Sequence, residues 1–403
     1  MTSAILHLDL DTFFVSCERL LDSRLKGKPI LIGGTSDRGV VASCSYEARR
    51  YGIHSAMPMK MARQICPEAI VIRGNSSTYS KFSNMVTEII KEVSPVYEKS
   101  SIDEFYVDAS GMDQFFGCYK WAKELREKII RETHLPISFG LSTCKTVSKV
   151  GTNEAKPNGS IHVATGFEKQ FLAPLSVKKI PMVGDKTYIK LRSMGVEKVA
   201  TVQQMPVELM QSALGVAGVS LWKKAQGIDH SPVVQYHERK SISIERTFEK
   251  DTTDFRKLRS IIASMAENLA FQLRNGNKLT SCITVKIRYA DFQTTTKQVR
   301  IPYTSLDHVI ISRVKELFDQ LYERRVLIRL VGVRMSHLIE GGLQMNMFED
   351  TEEIVSLYQA MDHIRNRFGQ DAVKRAVGMG SKNIGRMNPF NGQPPIIPAH
   401  RRM

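Results

Sequence analysis

The sequence predicts an α/β (α+β) chain of several domains, and three observations predict it. Apolar strand patterns alternate with amphipathic helix patterns over residues 4–166, an order typical of helices packed on a mixed sheet. Short helices interrupted by glycines follow over 167–235. A strand–helix–strand–strand–helix–strand order then fills 241–340, which is the split-βαβ arrangement. The length of 403 residues is enough for about two to four such domains.

The first region opens with an alternating strand pattern at residues 4–10 and continues into the helical TFFVSCERLLDSRL. Two apolar strands, KPILIGG and VVASCSY, lead to the helical EARRYG. A helix is predicted over 79–93, and VYEKSS with IDEFYVD predicts a hairpin. The region ends with the helix WAKELREKIIRETH, the strand ISFGLST and the helix KTVSKVGTNEA.

The second α/β region follows a predicted linker, residues 231–241, which mixes proline, polar and charged residues. Its strands are SISIERTF, SCITVKIRYADF, KQVRIPY and RLVGVRMSHL, and its helices are FRKLRSIIASMAENLAFQLR and HVIISRVKELFDQLYERR. The remaining residues, 341–403, end in a stretch rich in proline, glycine and asparagine. That composition predicts a disordered tail.

The composition is that of a soluble globular protein, with 42% hydrophobic and 24% charged residues. No apolar run is long enough to cross a bilayer, and the N-terminus lacks the pattern of a signal peptide, so we expect a cytoplasmic protein. The six cysteines are scattered, without a C-x-x-C pair or clustered histidines. This argues against a zinc module and a disulfide framework and predicts reduced, buried thiols.

The net charge of +16 predicts a polyanionic partner. Nucleic acid is the first candidate, because such a field attracts phosphates from a distance. An anionic membrane is the second, although neither terminus carries a strongly amphipathic basic helix.

Three carboxylates predict a metal site. Asp9 lies among apolar neighbours in HLDLD, where an isolated charge costs several kcal/mol unless a cation is near. Asp103 and Glu104 interrupt the strand pattern of SSIDEFYVD, at a hairpin that could pair beside the first strand. Mg²⁺ prefers carboxylate and phosphate oxygens, and two ions about 3.5–4 Å apart serve in-line phosphoryl transfer. Solvated turn acids remain the alternative on spacing alone.

Cationic side chains complete a possible triphosphate site. Tyr46 and Arg49 fall one helical turn apart in SYEARRYG, and arginine grips phosphate with two hydrogen bonds. Lys156 precedes a proline in NEAKPNG. Taken singly, Arg49 and Lys156 are more often surface charges. Together with the three acids, they predict a site for a triphosphate that carries Mg²⁺.

The stretches HLDLDTFFVSCE, VVASCSYEARRYGI, SSIDEFYVD and AKPNG, in this order and spacing, resemble the four signatures of the Y-family DNA polymerases, nearest the DinB branch. The resemblance covers residues 4–348. It implies a right-hand polymerase with a mixed-sheet palm, small fingers, a helical thumb with a helix-hairpin-helix, and a βαββαβ little finger. The implied boundaries are palm 1–10 and 78–166, fingers 11–77, thumb 167–235, little finger with linker 236–340, and a clamp-binding peptide with a C-terminal extension 341–403.

The resemblance also implies residue roles. Asp9, Asp103 and Glu104 would be the catalytic residues. With the backbone carbonyl of Leu10, they would hold two Mg²⁺ ions, which Mn²⁺ could replace. The dNTP would contact Tyr46, Arg49, Lys156 and Ser43.

Phe14 would be the steric gate that excludes a 2′-hydroxyl, although an ordinary core position beside Phe13 is the alternative reading. Small residues at Ala42 and Ser43, on the strand under the nascent base pair, would permit copying past damaged bases.

Two surfaces are predicted to bind primer-template DNA. Gly184 and Lys186 lie in KIPMVGDKTYIKLRSMG, which resembles a helix-hairpin-helix whose backbone N–H groups meet phosphate. Met182 stands there at a position where the family commonly has glycine, and a hairpin without a ligand is the alternative. In ITVKIRY, Lys286 and Arg288 alternate with apolar residues, which predicts a basic sheet face or an ordinary solvated one.

The peptide LQMNMFED resembles the short motif by which bacterial polymerases dock on the sliding clamp. Gln344, Met347 and Phe348 would fill separate pockets of the clamp.

The resemblance implies a monomeric, low-fidelity, template-directed DNA polymerase for translesion synthesis, without proofreading, in the cytoplasm and at the nucleoid. One alternative is a scaffold that binds DNA and clamp without chemistry, but all three acids are present. A nucleotide cyclase on a similar palm is another, but the sequence has no GG[DE]EF signature.

Overall fold

The structure is a computed structural model that describes residues 3–94, 96–112, 117–235, 238–322, 326–341, 352–369 and 372–376. The described residues up to 235 form one compact unit, and those from Glu238 onward form a second. No helix within these ranges is both long enough and apolar enough to cross a membrane. All six cysteines are buried thiols that form no disulfide, as their scattered spacing predicts.

The strands and helices of the first unit follow the predicted alternation. Its strands are β1 (Ile5–Leu10), β2 (Ile30–Gly33), β3 (Val41–Cys44), β4 (Ile70–Ile72), β5 (Tyr97–Lys99), β6 (Glu104–Asp108), β7 (Ile137–Ser142) and β8 (Ser160–His162). Its helices are α1 (Phe13–Leu21), α2 (Tyr46–Arg49), α3 (Met59–Ile65), α4 (Ser76–Val93), α5 (Cys118–Thr133), α6 (Lys145–Ala155), α7 (Glu168–Leu172), α8 (Asp185–Ser193), α9 (Val199–Gln204), α10 (Val207–Leu214) and α11 (Val216–Ala225).

The main sheet of this unit has the strand order β5-β6-β1-β7-β8. Its central strand β1 runs antiparallel to both β6 and β7, and β8 is added in parallel to β7. Because side chains alternate along a strand, Leu6, Leu8 and Leu10 enter a core with α1, α4 and α5. His7 and Asp9 consequently point to the other face, where α6 packs.

Two smaller groups of elements complete the unit. The strands β3-β2-β4 form a three-stranded sheet, whose buried core with α2 and α3 includes Leu31, Ala48 and Met59. The helices α7 to α11 enclose a separate apolar core around Leu172, Leu191 and Leu221. This confirms the series of short helices predicted for that part of the chain.

The second unit confirms the predicted βαββαβ order. Its strands form a sheet of order β11-β10-β12-β9, and α12 and α13 pack on one face of it around Leu269, Val285 and Phe318. A further helix, α14, follows after an interval. The bounds are β9 (Ser241–Thr252), α12 (Phe255–Asn275), β10 (Lys278–Tyr289), β11 (Thr294–Thr304), α13 (Asp307–Leu321), β12 (Ile328–Glu340) and α14 (Glu352–Phe368).

Lys99 on β5 is a buried cation, 5% exposed. Its Nζ donates a hydrogen bond to Thr87 Oγ1 at 2.9 Å and lies 5.5 Å from the centre of the Phe105 ring. Burial lowers the pKa of Lys99 to about 8. Between pH 8 and the ordinary pKa, the unfolded chain therefore binds more protons than the folded one, so Lys99 destabilises the fold below pH 8 and this penalty fades as pH rises.

We expect Lys99→Met to raise the free energy of unfolding by about 1–3 kcal/mol at pH 7, because an apolar side chain replaces a buried charge. The gain should shrink steadily between pH 8 and pH 10. Urea unfolding of both proteins across this pH range measures it, with Lys91→Met on the exposed face of α4 as the control. A gain that is constant with pH would show that the charge of Lys99 is not its source.

Candidate active site

The three predicted acids meet at one end of the main sheet. Asp9 on β1 is the register partner of Glu104 on β6, and the amide of Leu10 donates to the carbonyl of Asp103 at 3.0 Å. The side chain of Asp9 is buried, whereas those of Asp103 and Glu104 are half-buried. The antiparallel pairing of β1 with β6 therefore brings together carboxylates that are more than ninety residues apart in the sequence.

Helix α6 and the turn after it supply a lysine to each of three carboxylates. Each ammonium nitrogen lies 2.6 Å from its carboxylate oxygen. The pairs are Lys145 with Glu98, Lys149 with Glu104, and Lys156 with Asp9. Only Lys156 was predicted as a site residue. The four-residue spacing of Lys145 and Lys149, which places both on one face of α6, is the sequence signal that could have revealed the others.

The electrostatics of the carboxylates differ although they are neighbours. Burial raises the pKa of Asp9 to about 7, and the ammonium group of Lys156 offsets only part of this effect. Burial also raises the pKa of Asp103. For Glu104 burial acts in the same direction, but the neighbouring His7 and Lys149, the latter also through a hydrogen bond, outweigh it and lower the pKa. Asp9 is thus the acid whose ionised form most needs a further cation.

His7 lies beneath the acids on the same face of β1 and is fully buried. Its Nδ1 is 2.8 Å from Thr152 Oγ1 on α6, and its ring packs against Tyr106 with 4.6 Å between centroids. Burial lowers the pKa of His7 to about 3, so the imidazole is neutral at pH 7. His7 therefore packs below the acids as a neutral side chain and adds no charge to the site.

Asp11 connects the acids to the nucleotide-binding candidates, and the sequence analysis missed it. Its carboxylate accepts hydrogen bonds from Ser138 Oγ at 2.8 Å, from the amide of Asn158 at 2.7 Å and from the Tyr46 hydroxyl at 3.3 Å. Asp11 thereby ties the end of β1 to both α2 and the turn that carries Lys156. Its position two residues after Asp9, in DLD, was the available signal.

The remaining predicted nucleotide residues lie on β3 and α2. Ser45 caps α2 by accepting a hydrogen bond from the amide of Ala48. Within that turn, the Arg49 guanidinium stacks over the Tyr46 ring at 4.9 Å, so the two side chains form one unit. Ser43 lies on β3, opposite Ile32 and three residues before Tyr46. Through the bond from Tyr46 to Asp11, this unit stands beside the acids.

Phe14, the predicted steric gate, lies on α1 and is 5% exposed. Its ring stacks on Tyr79 with centroids 4.5 Å apart, and the Phe13 ring lies 5.5 Å away. Phe14 therefore belongs to the core that α1 and α4 share. Its contact with Tyr79 gives the ring a fixed orientation at the start of α1, three residues after Asp11.

The acids have the donor chemistry for a hard divalent cation but are not arranged as a metal site. Within the described ranges, no three side chains of His, Cys, Asp or Glu stand together as a set that could hold an ion. The ammonium groups of Lys156 and Lys149 instead contact Asp9 and Glu104, so they supply the positive charge that a metal ion would bring. Three carboxylates, two of them with a raised pKa, fit Mg²⁺ chemically. Binding of Mg²⁺ to Asp9 and Glu104 requires Lys156 and Lys149 to leave these carboxylates for other partners.

The predicted helix-hairpin-helix contains helix α8 and the turn that precedes it. Gly184 is the residue before the helix, and Lys186 is exposed in its first turn. Met182, in the turn before them, adopts a left-handed backbone with φ 81°, the conformation that favours glycine. Its side chain is 90% exposed. The turn therefore keeps the shape of a glycine turn but carries an apolar side chain at its tip.

The predicted basic face of β10 has the expected alternation. Ile283, Val285 and Ile287 are buried, whereas Lys286 and Arg288 are half-buried on the opposite face. Arg288 donates to Thr294 Oγ1 at 2.8 Å, and Lys286 forms an ion pair with Glu245 on β9. Glu245 was not foreseen, and it offsets part of the positive charge. The proposed clamp residues Gln344, Met347 and Phe348 lie outside the described residues.

Comparisons with known proteins agree with this architecture. Residues 8–153 match the model of the impB/mucB/samB family, and residues 239–347 match the model of its C-terminal domain. Residues 178–229 match the thumb domain described for DNA polymerase iota. The matches thus cover most of the main sheet, the helical part that contains α8, and the βαββαβ sheet.

Curated relatives are similar over most of the chain. A DNA polymerase IV of Dehalococcoides mccartyi is 35% identical over 92% of this chain and 96% of its own. A DNA polymerase IV of Streptococcus pyogenes is 39% identical over 83% and 93%, respectively.

Among solved structures, a Y-family DNA polymerase chimera of Dbh and Dpo4 superposes with a TM-score of 0.75 at 25% identity, covering 84% of this chain and all of that one. An insertion ternary complex of Dbh DNA polymerase has the same coverage, with a TM-score of 0.61 at 24% identity. These matches confirm the predicted family and fold class: the chain belongs to the Y-family DNA polymerases and is a relative of the DNA polymerase IV enzymes.

Proposed function

We propose that the Asp9–Asp103–Glu104 cluster adds dNTPs to a primer 3′ end by two-metal phosphoryl transfer, in low-fidelity translesion synthesis without proofreading. Y-family polymerases are DNA-directed nucleotidyltransferases that need divalent metal ions, and we propose Mg²⁺ for this chain. One observation carries the proposal. Three carboxylates, from β1, from the start of β6 and from the residue before β6, converge with Lys149 and Lys156 at the end of one sheet.

The carboxylates of Asp9, Asp103 and Glu104, with the carbonyl of Leu10, would hold the two Mg²⁺ ions. When bound, these ions supply charge neutralisation at the attacking and leaving oxygens. The raised pKa of Asp9 supports this assignment, because an acid that is costly to ionise in the free protein gains most from a cation. Mn²⁺ has similar ligand preferences and should replace Mg²⁺.

The cationic side chains would bind the triphosphate. Lys156 exchanges Asp9 for a phosphate oxygen, Arg49 donates two parallel hydrogen bonds, and Tyr46 adds a hydroxyl. Asp11 holds Tyr46 and the turn after Lys156 in place through the hydrogen bonds to Tyr46 and Asn158. Positioning of this kind lowers the barrier by fixing the reactants before the chemical step.

Phe14 would lie against the sugar and exclude a 2′-hydroxyl, while Ser43 and Ala42 on β3 would lie under the nascent base pair. Small side chains on that strand leave the shape of the base pair loosely checked. This supports tolerance of damaged template bases and a high error frequency.

Primer-template DNA would contact the turn of Gly184 and Lys186 and the face of Lys286 and Arg288. Each phosphate contact by a cation steepens the fall of affinity with salt, by about 0.9 in the log–log slope. Because Arg288 donates its hydrogen bond to a neutral hydroxyl, that of Thr294, we expect Arg288→Ala to reduce the slope by about one unit. Lys286→Ala should reduce it less, because Glu245 already offsets that charge.

Fluorescence anisotropy of labelled primer-template between low and physiological salt measures these slopes. Arg313→Ala is the matched control, since Arg313 is exposed on α13, which covers the other face of the sheet, and pairs with Glu316. Equal slopes for Arg288→Ala and Arg313→Ala would show that the face of Lys286 and Arg288 on β10 does not contact DNA phosphates.

Gln344, Met347 and Phe348 would dock the enzyme on the replication sliding clamp. All proposed catalytic residues belong to one chain, which supports a polymerase that acts as a monomer at each primer end. We place it in the cytoplasm, at the nucleoid, where its DNA substrate lies.

Primer extension tests the proposed function. Purified protein, a primer-template and each dNTP are combined with Mg²⁺ or with EDTA, and a second template carries an abasic site. We expect short, template-directed, Mg²⁺-dependent extension that continues past the abasic site. Tight DNA binding without extension would favour the scaffold alternative.

A further inference from the structure

Arg126 on α5 was not among the predicted site residues, and it is half-buried. Its guanidinium donates three hydrogen bonds. Nε bonds the carbonyl of Ile137 at 2.9 Å, and Nη2 bonds the carbonyl and the side-chain Oδ1 of Asn158 at 2.7 and 2.6 Å. All three acceptors belong to uncharged groups. Because the guanidinium is planar and rigid, bonds to several acceptors fix their relative orientation, and Arg126 thus joins the start of β7 to the turn that follows α6.

The turn that Arg126 holds is the one that presents Lys156. Lys156 is the C-cap of α6, and Asn158 lies two residues later. Asn158 has a left-handed backbone with φ 51°, a conformation that is uncommon outside glycine and persists where neighbouring contacts enforce it. Two side chains supply these contacts. The amide of Asn158 donates to Asp11 Oδ2 at 2.7 Å, and its carbonyl accepts from Arg126.

The bonds of Arg126 matter most when a nucleotide is bound. In the free protein the ammonium group of Lys156 lies 2.6 Å from the carboxylate of Asp9, and this ion pair helps to hold the turn. The proposed function requires Lys156 to leave Asp9 for a phosphate oxygen, so the ion pair is lost on binding. The three bonds of Arg126 involve neither residue. They therefore hold the turn in both states.

We propose that Arg126 is a positioning residue for the triphosphate of the incoming nucleotide. It fixes the turn after α6, so that the ammonium group of Lys156 is already in place when the phosphate oxygens arrive, and it acts through this lysine. A misplacement of about 1 Å in such a group can cost about a hundredfold in rate. The inference rests on the proposed function, because it assumes that Lys156 binds the triphosphate.

Arg126→Met tests the proposal, because methionine keeps an apolar stem of similar length on α5 and removes the donors. In Mg²⁺-dependent primer extension, we expect kcat/KM for the dNTP to fall by about ten- to a hundredfold. The loss should appear mainly in the KM of the dNTP, whereas the affinity for primer-template should not change. A general disturbance of the fold would lower both.

Arg131→Met is the matched control for this variant. Arg131 lies on the same helix, with a side chain that is 76% exposed, and its replacement should leave kcat/KM at the wild-type value. Urea unfolding checks that each variant is folded under the assay conditions. Equal losses in Arg126→Met and Arg131→Met would overturn the proposal, because any charge removed from α5 would then have the same effect.

Arg126→Lys separates positioning from charge, and it is the milder change if Arg126→Met does not fold. Lysine keeps the positive charge, but its one nitrogen cannot replace the two guanidinium nitrogens that bond Ile137 and Asn158. We expect kcat/KM of this variant to stay closer to that of Arg126→Met than to that of the wild type. Full recovery would overturn the proposal, because Arg126 would then act on the triphosphate by its charge.

A double-mutant cycle with Lys156→Ala tests whether Arg126 acts through the lysine. If it does, Arg126→Met should lower kcat/KM no further, within about twofold, once residue 156 is alanine. Losses that multiply would show that Arg126 acts independently of Lys156, and they would overturn the proposal while the proposed function stands. A wild type that extends no primer would refute the proposed function, and the proposal with it.

Discussion

Primer extension should fall by at least about a thousandfold when Asp103 and Glu104 are both changed to alanine. The stabilisation that metal-held charge provides in phosphoryl transfer is worth several kcal/mol, and each 1.36 kcal/mol is a factor of ten in rate. Lys156 and Lys149 cannot replace it, because each ammonium group carries a single charge and offers no coordination sites. Single-turnover extension at saturating dNTP measures the loss in the chemical step.

Asp108→Asn is the matched control for this double variant. Asp108 lies at the other end of the same strand β6, where its carboxylate accepts a hydrogen bond from the amide of Ser110, and asparagine can accept the same bond. Its extension rate should stay near the wild-type value. The DNA affinity of the double variant should also be unchanged or slightly higher, since two negative charges are gone. Extension that survives in the double variant would place the catalytic metals elsewhere.

Phe14→Ala should lower the preference for dNTPs over rNTPs by about ten- to hundredfold. The Phe14 ring is held in place by its stack on Tyr79. In the proposed site a 2′-hydroxyl would meet this ring, and displacing it would cost strain of about 1–3 kcal/mol. Removing the ring removes that penalty for ribonucleotides and leaves deoxynucleotides nearly unaffected. The ratio of kcat/KM for dCTP and CTP opposite a template guanine measures the change.

Phe13→Ala is the control for this variant, because both rings are buried in the same core. Each change should cost about 3–5 kcal/mol of stability, so both proteins are assayed at low temperature after their folding is checked. Only Phe14→Ala should alter the sugar preference. If Phe13→Ala alters it equally, the effect comes from loosened packing of α1, and Phe14 is a core residue alone.

The sequence was sufficient to predict the sheet that carries the acids. Alternation in AILHLDL separates Leu6 and Leu8 from His7 and Asp9, and the hairpin of β5 and β6 brings Glu104 to the edge of β1. The helix predicted around KTVSKVGTNEA is α6, Lys145–Ala155. These features depend on local periodicity, which a single sequence displays directly.

What the sequence did not reveal depends on contacts between distant residues. The bond from the Asn158 amide to Asp11 joins positions 147 residues apart. Glu245 on β9 reaches Lys286 on β10 across β12, where the register partner of both is Gly332, a residue without a side chain to separate them. The short strands β4 and β8 contain three residues each, too few to show a period. The side that α14 buries was not predicted for a different reason. Its residues Tyr358, Asp362 and Arg365 are polar, and the polar residues of a helix ordinarily face solvent.

Counting bound Mn²⁺ by electron paramagnetic resonance tests the central claim most directly, with primer-template and a non-hydrolysable dNTP analogue present. The wild type should bind two ions per chain, and the variant with Asp103→Ala and Glu104→Ala should bind none tightly, while Asp108→Asn keeps both. Two tightly bound ions in the double variant would contradict the account, because the carboxylates of β6 would then not be the ligands.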